Sequence, residues 1–124
     1  MKYMPQEIEV WYLLPALRKE VAKELVEKHK LRQKEVASML DITEAAVSQY
    51  LKHKRGKGVE FSNKEHERIQ AAAALMLKQK KNVARLLYEL SATFRGSSTM
   101  CKIHRGLEDT TGCTICKGIK CHYR

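Results

Sequence analysis

Two short amphipathic patterns follow each other in the stretch Arg32-Gln33-Lys34-Glu35-Val36-Ala37-Ser38-Met39-Leu40-Asp41-Ile42-Thr43-Glu44-Ala45-Ala46-Val47-Ser48-Gln49-Tyr50-Leu51. Apolar side chains recur in each pattern at the spacing of one helix face, at Val36, Ala37, Leu40, Val47, Tyr50 and Leu51. Ile42 is expected to be buried in the turn between them, and Thr43 is a good N-cap because its hydroxyl accepts a backbone amide hydrogen. The stretch therefore predicts two short helices that cross steeply.

The same stretch resembles the helix-turn-helix of the Xre family of DNA-binding regulators, the phage-repressor and Cro type. The matching residues are Gln33, Val36, Ala37, Leu40, Ile42, Thr43, Val47, Ser48, Tyr50 and Leu51. Asp41 departs from the family pattern, which usually has a left-handed glycine there, and aspartate tolerates that conformation better than most residues. The resemblance implies a sequence-specific transcription regulator that reads double-stranded DNA with residues 32–51.

Side chains on the second helix of such a motif reach base edges in the major groove. The resemblance implies base contacts by Glu44, Ala45 and Gln49, because a carboxylate accepts from cytosine, a methyl group contacts thymine and an amide pairs with adenine. It also implies that Gln33 holds a phosphate and that Thr43 and Ser48 lie close to the DNA backbone or the bases. The loop after this helix carries cations that are expected to neutralise phosphates beside the groove, namely Lys52, Lys54, Arg55 and Lys57.

A longer similarity covers about the first 95 residues of the chain. The segment Ile8-Glu9-Val10-Trp11-Tyr12-Leu13-Leu14-Pro15-Ala16-Leu17-Arg18, together with residues 44–51, resembles a group of predicted archaeal-type transcription regulators. Some members of that group carry a separate ligand-binding domain for thiamine phosphate. A chain of 124 residues has no room for it, so we expect no small-molecule ligand domain.

Positive charge predominates, with 24 Lys and Arg against 14 Asp and Glu and a formal net charge of +10. Such a balance favours a polyanionic partner, for which nucleic acid is the leading class and a solvated cationic surface the alternative. No apolar run approaches the roughly 20 residues of a membrane span, and the first residues lack a signal-peptide pattern. We therefore expect a cytoplasmic protein without membrane contact.

Catalytic patterns are not recognisable in the sequence, which pairs no nucleophile with a base and contains no phosphate-binding glycine loop. An enzyme is therefore not expected, and redox turnover at the cysteines is the one enzymatic option left. Two rival functions share the features above. One is a metal-stabilised adaptor that binds RNA or a protein partner, and the other is an antitoxin-type DNA-binding protein.

Further helical patterns predict an all-α class, with five helices in a DNA-binding domain over residues 1–95. In the first helix, Pro15 either opens the helix or kinks a longer one that begins near Glu7. Ser62 and Glu65 have the spacing of a capping box, which predicts the start of a fourth helix. A fifth pattern begins at Val83, after the polar run at residues 78–82 interrupts the fourth.

A homodimer is expected, because one short helix reads too few base pairs for useful specificity. The apolar side chains of the fifth helix serve either as the dimer seam or as core within one chain, namely Leu86, Leu87, Leu90 and Phe94. Trp11 and Tyr12 are likewise assigned to core or dimer contacts, because they lie in an apolar run without basic neighbours.

The cysteines follow the turn-forming residues 96–99, which are the predicted linker to a small C-terminal tail at residues 96–124. They are Cys101, Cys113, Cys116 and Cys121, with the spacing C-x11-C-x2-C-x4-C. A C-x2-C pair converges on one metal from a tight loop, and four thiolates complete a zinc site or an iron–sulfur cluster. Because the tail has few apolar residues, the metal is expected to stabilise it.

The identity of the metal is left open by this spacing. Zinc ribbons usually offer two C-x2-C knuckles and the second is missing here, which mildly favours an iron–sulfur cluster over zinc. A cluster would let the tail sense oxygen, iron supply or redox state. His104 and His122 are not needed as ligands, and we expect them beside the metal or in solvent.

Overall fold

The structure is a computed structural model that describes residues 2–116. Within that range the chain forms helices and connecting segments and no strand, which confirms the predicted all-α class. The α-helices are α1 (Pro5–Ile8), α2 (Leu14–Glu27), α3 (Gln33–Leu40), α4 (Glu44–Leu51), α5 (Asn63–Lys78), α6 (Val83–Ala92) and α7 (Ser98–Arg105). A π-helical turn (Glu9–Leu13) joins α1 to α2, and a 3-10 turn (Lys80–Asn82) precedes α6. None of the helices in residues 2–116 is long and apolar enough to cross a membrane.

The first helix is the longer of the two predicted alternatives, because α1, the π turn and α2 follow one another without a break. The Leu14 amide donates to the Glu9 carbonyl, which is the five-residue step of a π turn. Pro15 comes directly after this step and has no amide hydrogen to donate, so the wider turn accommodates it inside a continuous helix. The same turn leaves Val10 and Trp11 more than half exposed, at 55% and 54%.

Helix α2 is the centre of the fold. Its apolar face is fully buried at Leu17, Val21 and Leu25, and α2 packs against α3, α4, α5 and α6. The capping box at Ser62 and Glu65 begins α5 as predicted, with the Ser62 amide donating to Glu65 Oε1 at 2.8 Å. The short helices α3 and α4 are therefore held on a long helix that itself lies inside the molecule.

The apolar side chains of α6 and its C-terminal end contribute to the core of the single chain. Leu87, Leu90 and Phe94 are 8%, 4% and 0% exposed, and Leu86 packs partly buried against the same core. Of the two predicted roles for this face, intrachain core is therefore the one that the structure supports. Trp11, by contrast, lies at the surface with its ring edge-on to Tyr3 at 6.3 Å.

Helix α7 occupies the region where a linker and tail were expected. The Ser97 hydroxyl caps it by accepting the Met100 amide hydrogen at 3.2 Å. Met100 is 6% exposed and belongs to the main core, and α7 packs against α1 and the π turn. The Glu108 carboxylate then accepts from the backbone amides of Lys2 and Tyr3 at 2.9 and 3.0 Å. Residues 98–108 are thus packed onto the beginning of the chain.

Candidate nucleic-acid interface and cysteine cluster

A three-residue turn sets the geometry between α3 and α4. Asp41 adopts the left-handed conformation, with φ 54° and ψ 48°, as expected at the position where the Xre pattern has glycine. The Ile42 amide donates to the Ala37 carbonyl at 3.0 Å, which closes the end of α3. Thr43 Oγ1 accepts the Ala46 amide hydrogen at 3.0 Å, which confirms the predicted N-cap. Both helix ends are therefore fixed by hydrogen bonds within a few residues.

Helix α4 has one buried and one open side. Its inner side consists of Ala46, Val47 and Tyr50, which are 6%, 0% and 5% exposed and face the α2 side of the core. The predicted base-contacting residues lie on the other side, where Glu44 and Ala45 are exposed and Gln49 is partly exposed. These three side chains are therefore accessible to a partner that approaches α4. Thr43 is exposed and Ser48 partly exposed next to them.

The loop after α4 is held against α2 by a glycine. Gly56 has φ +69°, and a Cβ atom at this position would lie 2.4 Å from the Pro15 carbonyl oxygen and 3.0 Å from Lys19 Cβ. Only glycine fits so close a backbone approach at a positive φ. The predicted phosphate-binding side chains of this loop are all exposed, at Lys52, Lys54, Arg55 and Lys57. The close approach of Gly56 therefore keeps these cations beside the C-terminal end of α4.

The first turn of α3 contains the remaining predicted contact, Gln33, which is exposed at the first helical position. Glu35 accepts from both the backbone amide and the Nε of Arg32, at 3.3 and 3.2 Å. The hydrogen bond donated by the Arg32 backbone amide is the main reason why the pKa of Glu35 lies below its usual value. Lys80 contributes a smaller lowering of the same pKa through its positive charge.

No family model, curated protein or solved structure that was compared with this chain matches it.

Three of the predicted metal ligands come together in one cavity. Cys101 on α7, Cys113 and Cys116 line a space of about 430 Å³ that Pro5 and Ile8 of α1 also border. Burial raises the pKa of the Cys116 thiol, and the neighbouring Cys101 and Cys113 raise it further. Cys121 lies outside the described residues.

The fit of these cysteines to a metal is incomplete in the part of the chain that is described. No group of three His, Cys, Asp or Glu side chains within residues 2–116 is arranged to hold a metal ion. The segment that carries Cys116 nevertheless packs closely on the residues that precede α7, because a Cβ atom at Gly96 would lie 3.0 Å from the Cys116 carbonyl oxygen. The structure thus brings three thiols to one cavity without closing a ligand set.

His104 was expected beside a metal or in solvent; it is 7% exposed, lines the same cavity as the three cysteines, and is bonded through Nε2 to Glu108. Hydrogen bonds from the Lys2 amide, from His104 and from the Tyr3 amide lower the pKa of Glu108 to about 2. The Glu108 side chain therefore stays charged at neutral pH and ties the end of α7 to the start of the chain. The sequence does contain a signal for α7, because Ser97 precedes apolar residues at helical spacing, namely Met100, Ile103 and Leu107.

Proposed function

We propose that this protein is a sequence-specific DNA-binding transcription regulator, in which α3, the turn at residues 41–43 and α4 act as a helix-turn-helix. The observation that carries the proposal is the open side of α4, where Glu44, Ala45 and Gln49 are accessible while the opposite side is buried. A helix mounted in this way can enter a major groove without any change in the core. The formal charge of +10 supports a polyanionic partner.

The side-chain chemistry of the proposed interface assigns base contacts and phosphate contacts to different residues. Side chains of α4 discriminate between base edges, whereas cations contact phosphates and give no sequence information. In this proposal Gln49 pairs with adenine, Glu44 accepts from a cytosine amino group and Ala45 contacts a thymine methyl. Contacts to phosphates or nearby bases come from Gln33, Thr43, Ser48, Lys52, Lys54 and Arg55.

The replacement Gln49→Ala tests this assignment. Because Gln49 is proposed to contact a base, binding to the preferred duplex should weaken by about 1–3 kcal/mol, whereas binding to an unrelated duplex should not change. A preferred sequence is first selected from a random duplex library. The affinities of the wild type and the variant for the preferred and the unrelated duplex are then measured by titration at one salt concentration.

Gln6→Ala is the matched control, because Gln6 is an exposed glutamine on α1, away from the proposed interface. It should leave both affinities unchanged. Equal losses on both duplexes for Gln49→Ala would refute base contact by Gln49. Failure of the library to yield any preferred duplex, with tighter binding to RNA, would instead favour the adaptor function.

A homodimer is part of the same proposal, because two copies of α4 would read two half-sites about one turn of DNA apart. Since Leu87, Leu90 and Phe94 are in the core, the dimer must use another surface. An inverted repeat in the selected duplex, bound by two chains, is the result that this part of the proposal requires.

We further propose that the cysteines bind a metal centre, on the observation that Cys101, Cys113 and Cys116 line one cavity. Together with Cys121 they would supply four thiolates, which suit an iron–sulfur cluster or zinc. A bound cluster would provide one-electron chemistry and sensitivity to oxygen, whereas zinc would only cross-link the cysteines. In either case α7, which carries Cys101, would be fixed more firmly on α1.

Metal analysis of the full chain purified without oxygen tests this second proposal. We expect close to one centre per chain, because four thiolates would suffice for a single ligand set. Iron with acid-labile sulfide and visible absorbance identifies a cluster, whereas a colourless protein with one zinc identifies the structural alternative. Cys113→Ser should lower the metal content severalfold. A wild-type chain without bound metal would refute the proposal.

A further inference from the structure

His104 is a buried titratable side chain to which the proposed metal centre gives no role. It is 7% exposed and lines the cavity that Cys101, Cys113 and Cys116 also line. An imidazole nitrogen is, like a cysteine thiolate, a preferred ligand of zinc. The cavity therefore contains a fourth potential ligand that lies inside the described part of the chain.

A carboxylate fixes one ring nitrogen of His104. Nε2 is hydrogen-bonded to Glu108, and Glu108 is itself held by the backbone amides of Lys2 and Tyr3. In a neutral ring Nε2 then carries the hydrogen, and Nδ1 keeps its lone pair. Within residues 2–116 no hydrogen bond occupies Nδ1. Histidines that bind metals usually have this arrangement, in which one nitrogen donates to a carboxylate and the other binds the ion.

The spacing of Cys101 and His104 on α7 is that of a ligand pair. Residues three apart in a helix are neighbours on its surface, so both side chains can reach one ion. Cys101-x2-His104 is thus a second two-ligand unit beside Cys113-x2-Cys116, and it supplies the knuckle that the cysteine spacing alone lacks. Three thiolates and one imidazole are a known ligand set of structural zinc sites.

A tight turn after α7 brings the second pair back to the first. Asp109 Oδ1 accepts from the backbone amide and the hydroxyl of Thr111 at 2.9 and 2.6 Å. The Cys113 amide donates to the Thr110 carbonyl at 2.9 Å, and Thr110 also lines the cavity. These hydrogen bonds return the chain after α7 to the cavity, where Cys113 and Cys116 meet the ligands of α7.

The four side chains line the cavity without lying at ligand distances from one ion. No group of three His, Cys, Asp or Glu side chains in residues 2–116 is arranged to hold a metal. Cys113 and Cys116 are partly exposed and lie in a segment without a helix, so their thiols can be drawn towards α7. Metal binding commonly provides the free energy for such ordering, and His104 is already held in place by Glu108.

We propose that His104 binds the metal through Nδ1 as the fourth ligand, in place of Cys121, and that the metal is zinc. This inference rests on the proposed metal centre and changes its ligand set. The complete set is Cys101, Cys113, Cys116 and His104. Glu108 is a positioning residue, because it holds the ring through Nε2 and touches no metal. Zinc bound in this way joins α7 to the segment that follows it and, through Glu108, to the start of the chain.

Titration of the metal-free full chain with Zn²⁺ under reducing conditions tests the inference. The variant His104→Gln should bind zinc about 100-fold or more weakly, because loss of a ligand costs more than the 10–100-fold typical of losing its hydrogen-bond partner. Cys121→Ser should bind one zinc with the affinity of the wild type. His29→Gln is the matched control, because His29 is a partly exposed histidine just after α2 that does not line the cavity. It should also bind zinc as the wild type does.

A rescue variant separates coordination from a purely structural role of His104. His104→Cys loses the bond to Glu108 but restores a ligand, so zinc affinity should return most of the way to that of the wild type. Its Co²⁺ complex should absorb more strongly in the near ultraviolet than the wild-type complex, because a fourth cobalt–sulfur bond adds charge-transfer intensity.

Weak zinc binding by His104→Gln, restored by His104→Cys and absent from Cys121→Ser, supports the inference. If Cys121→Ser loses zinc or a cluster while His104→Gln keeps it, the inference fails and the metal centre on four cysteines stands. If His104→Cys does not restore binding, His104 acts through the packing of α7 and the inference is overturned. A wild-type chain that binds no metal refutes the metal centre and the inference together.

Discussion

Phe94→Ala is expected to destabilise the fold by about 3–5 kcal/mol, which is the usual cost of emptying a buried aromatic site. Phe94 is 0% exposed, and its ring lies 5.5 Å from that of Phe61 at an angle of 69°. Arg68 covers the same ring at 5.8 Å. Because Phe94 lies between the end of α6 and the start of α7, the resulting cavity would loosen both α6 and the cysteine-bearing helix α7.

Chemical denaturation of the wild type and the variant measures this loss. Leu75→Ala on α5 is the control, because Leu75 is 40% exposed and should cost much less than a buried residue. The free energy of unfolding of both variants should be independent of protein concentration if Phe94 acts within one chain. If Phe94→Ala lowered the free energy of unfolding only at low protein concentration, Phe94 would belong to a dimer interface, which would contradict its burial within one chain.

Removal of the positive charge from the loop after α4 should have the largest effect on DNA binding. The triple variant Lys52→Gln, Lys54→Gln and Arg55→Gln is expected to lower affinity near 0.1 M salt by about 100-fold or more, because the three proposed phosphate contacts would be lost together. The slope of log K against log salt should fall by about 2–3. All three side chains are exposed, so the core should be unaffected.

The sequence preference of the triple variant shows whether the loop contacts only phosphates or also bases. The ratio of affinities for the preferred and the unrelated duplex should stay close to that of the wild type, since Gln49 and its neighbours are intact. The α7 charge variant, Lys102→Gln with Arg105→Gln, reports the effect of net charge alone. If the triple variant and the α7 variant lose affinity in proportion to the charge removed, the loop makes no specific contact with the duplex.

The helix starts are features that local sequence patterns predict correctly. Thr43 and Ser62 were predicted as caps, and each accepts the expected amide hydrogen in the structure. Asp41 takes the left-handed conformation at the position where the family pattern has glycine. These features depend on hydrogen bonds and backbone sterics within three or four residues, so they are readable from the chain without knowledge of its packing.

Pro15 shows where a local pattern stops being sufficient. Its missing amide hydrogen predicts either a helix start or a kink, and neither outcome is favoured by the neighbouring residues. The structure has a continuous helix in which a π turn at Glu9–Leu13 accommodates the proline. The buried position of α2 in the core supplies the packing that keeps the long helix intact.

By itself, the sequence specified the all-helical class, the caps of α4 and α5, and the side chains of α4 that point away from its apolar face. Only the packing of the whole chain decided that Leu87, Leu90 and Phe94 belong to the core, that α7 lies against α1, and that Arg95 pairs with Glu9. Periodicity shows that a helix has an apolar face, but it contains no information about which surface will cover that face. Which apolar faces are buried, and which charged residues distant in the sequence lie together, therefore had to come from the tertiary structure.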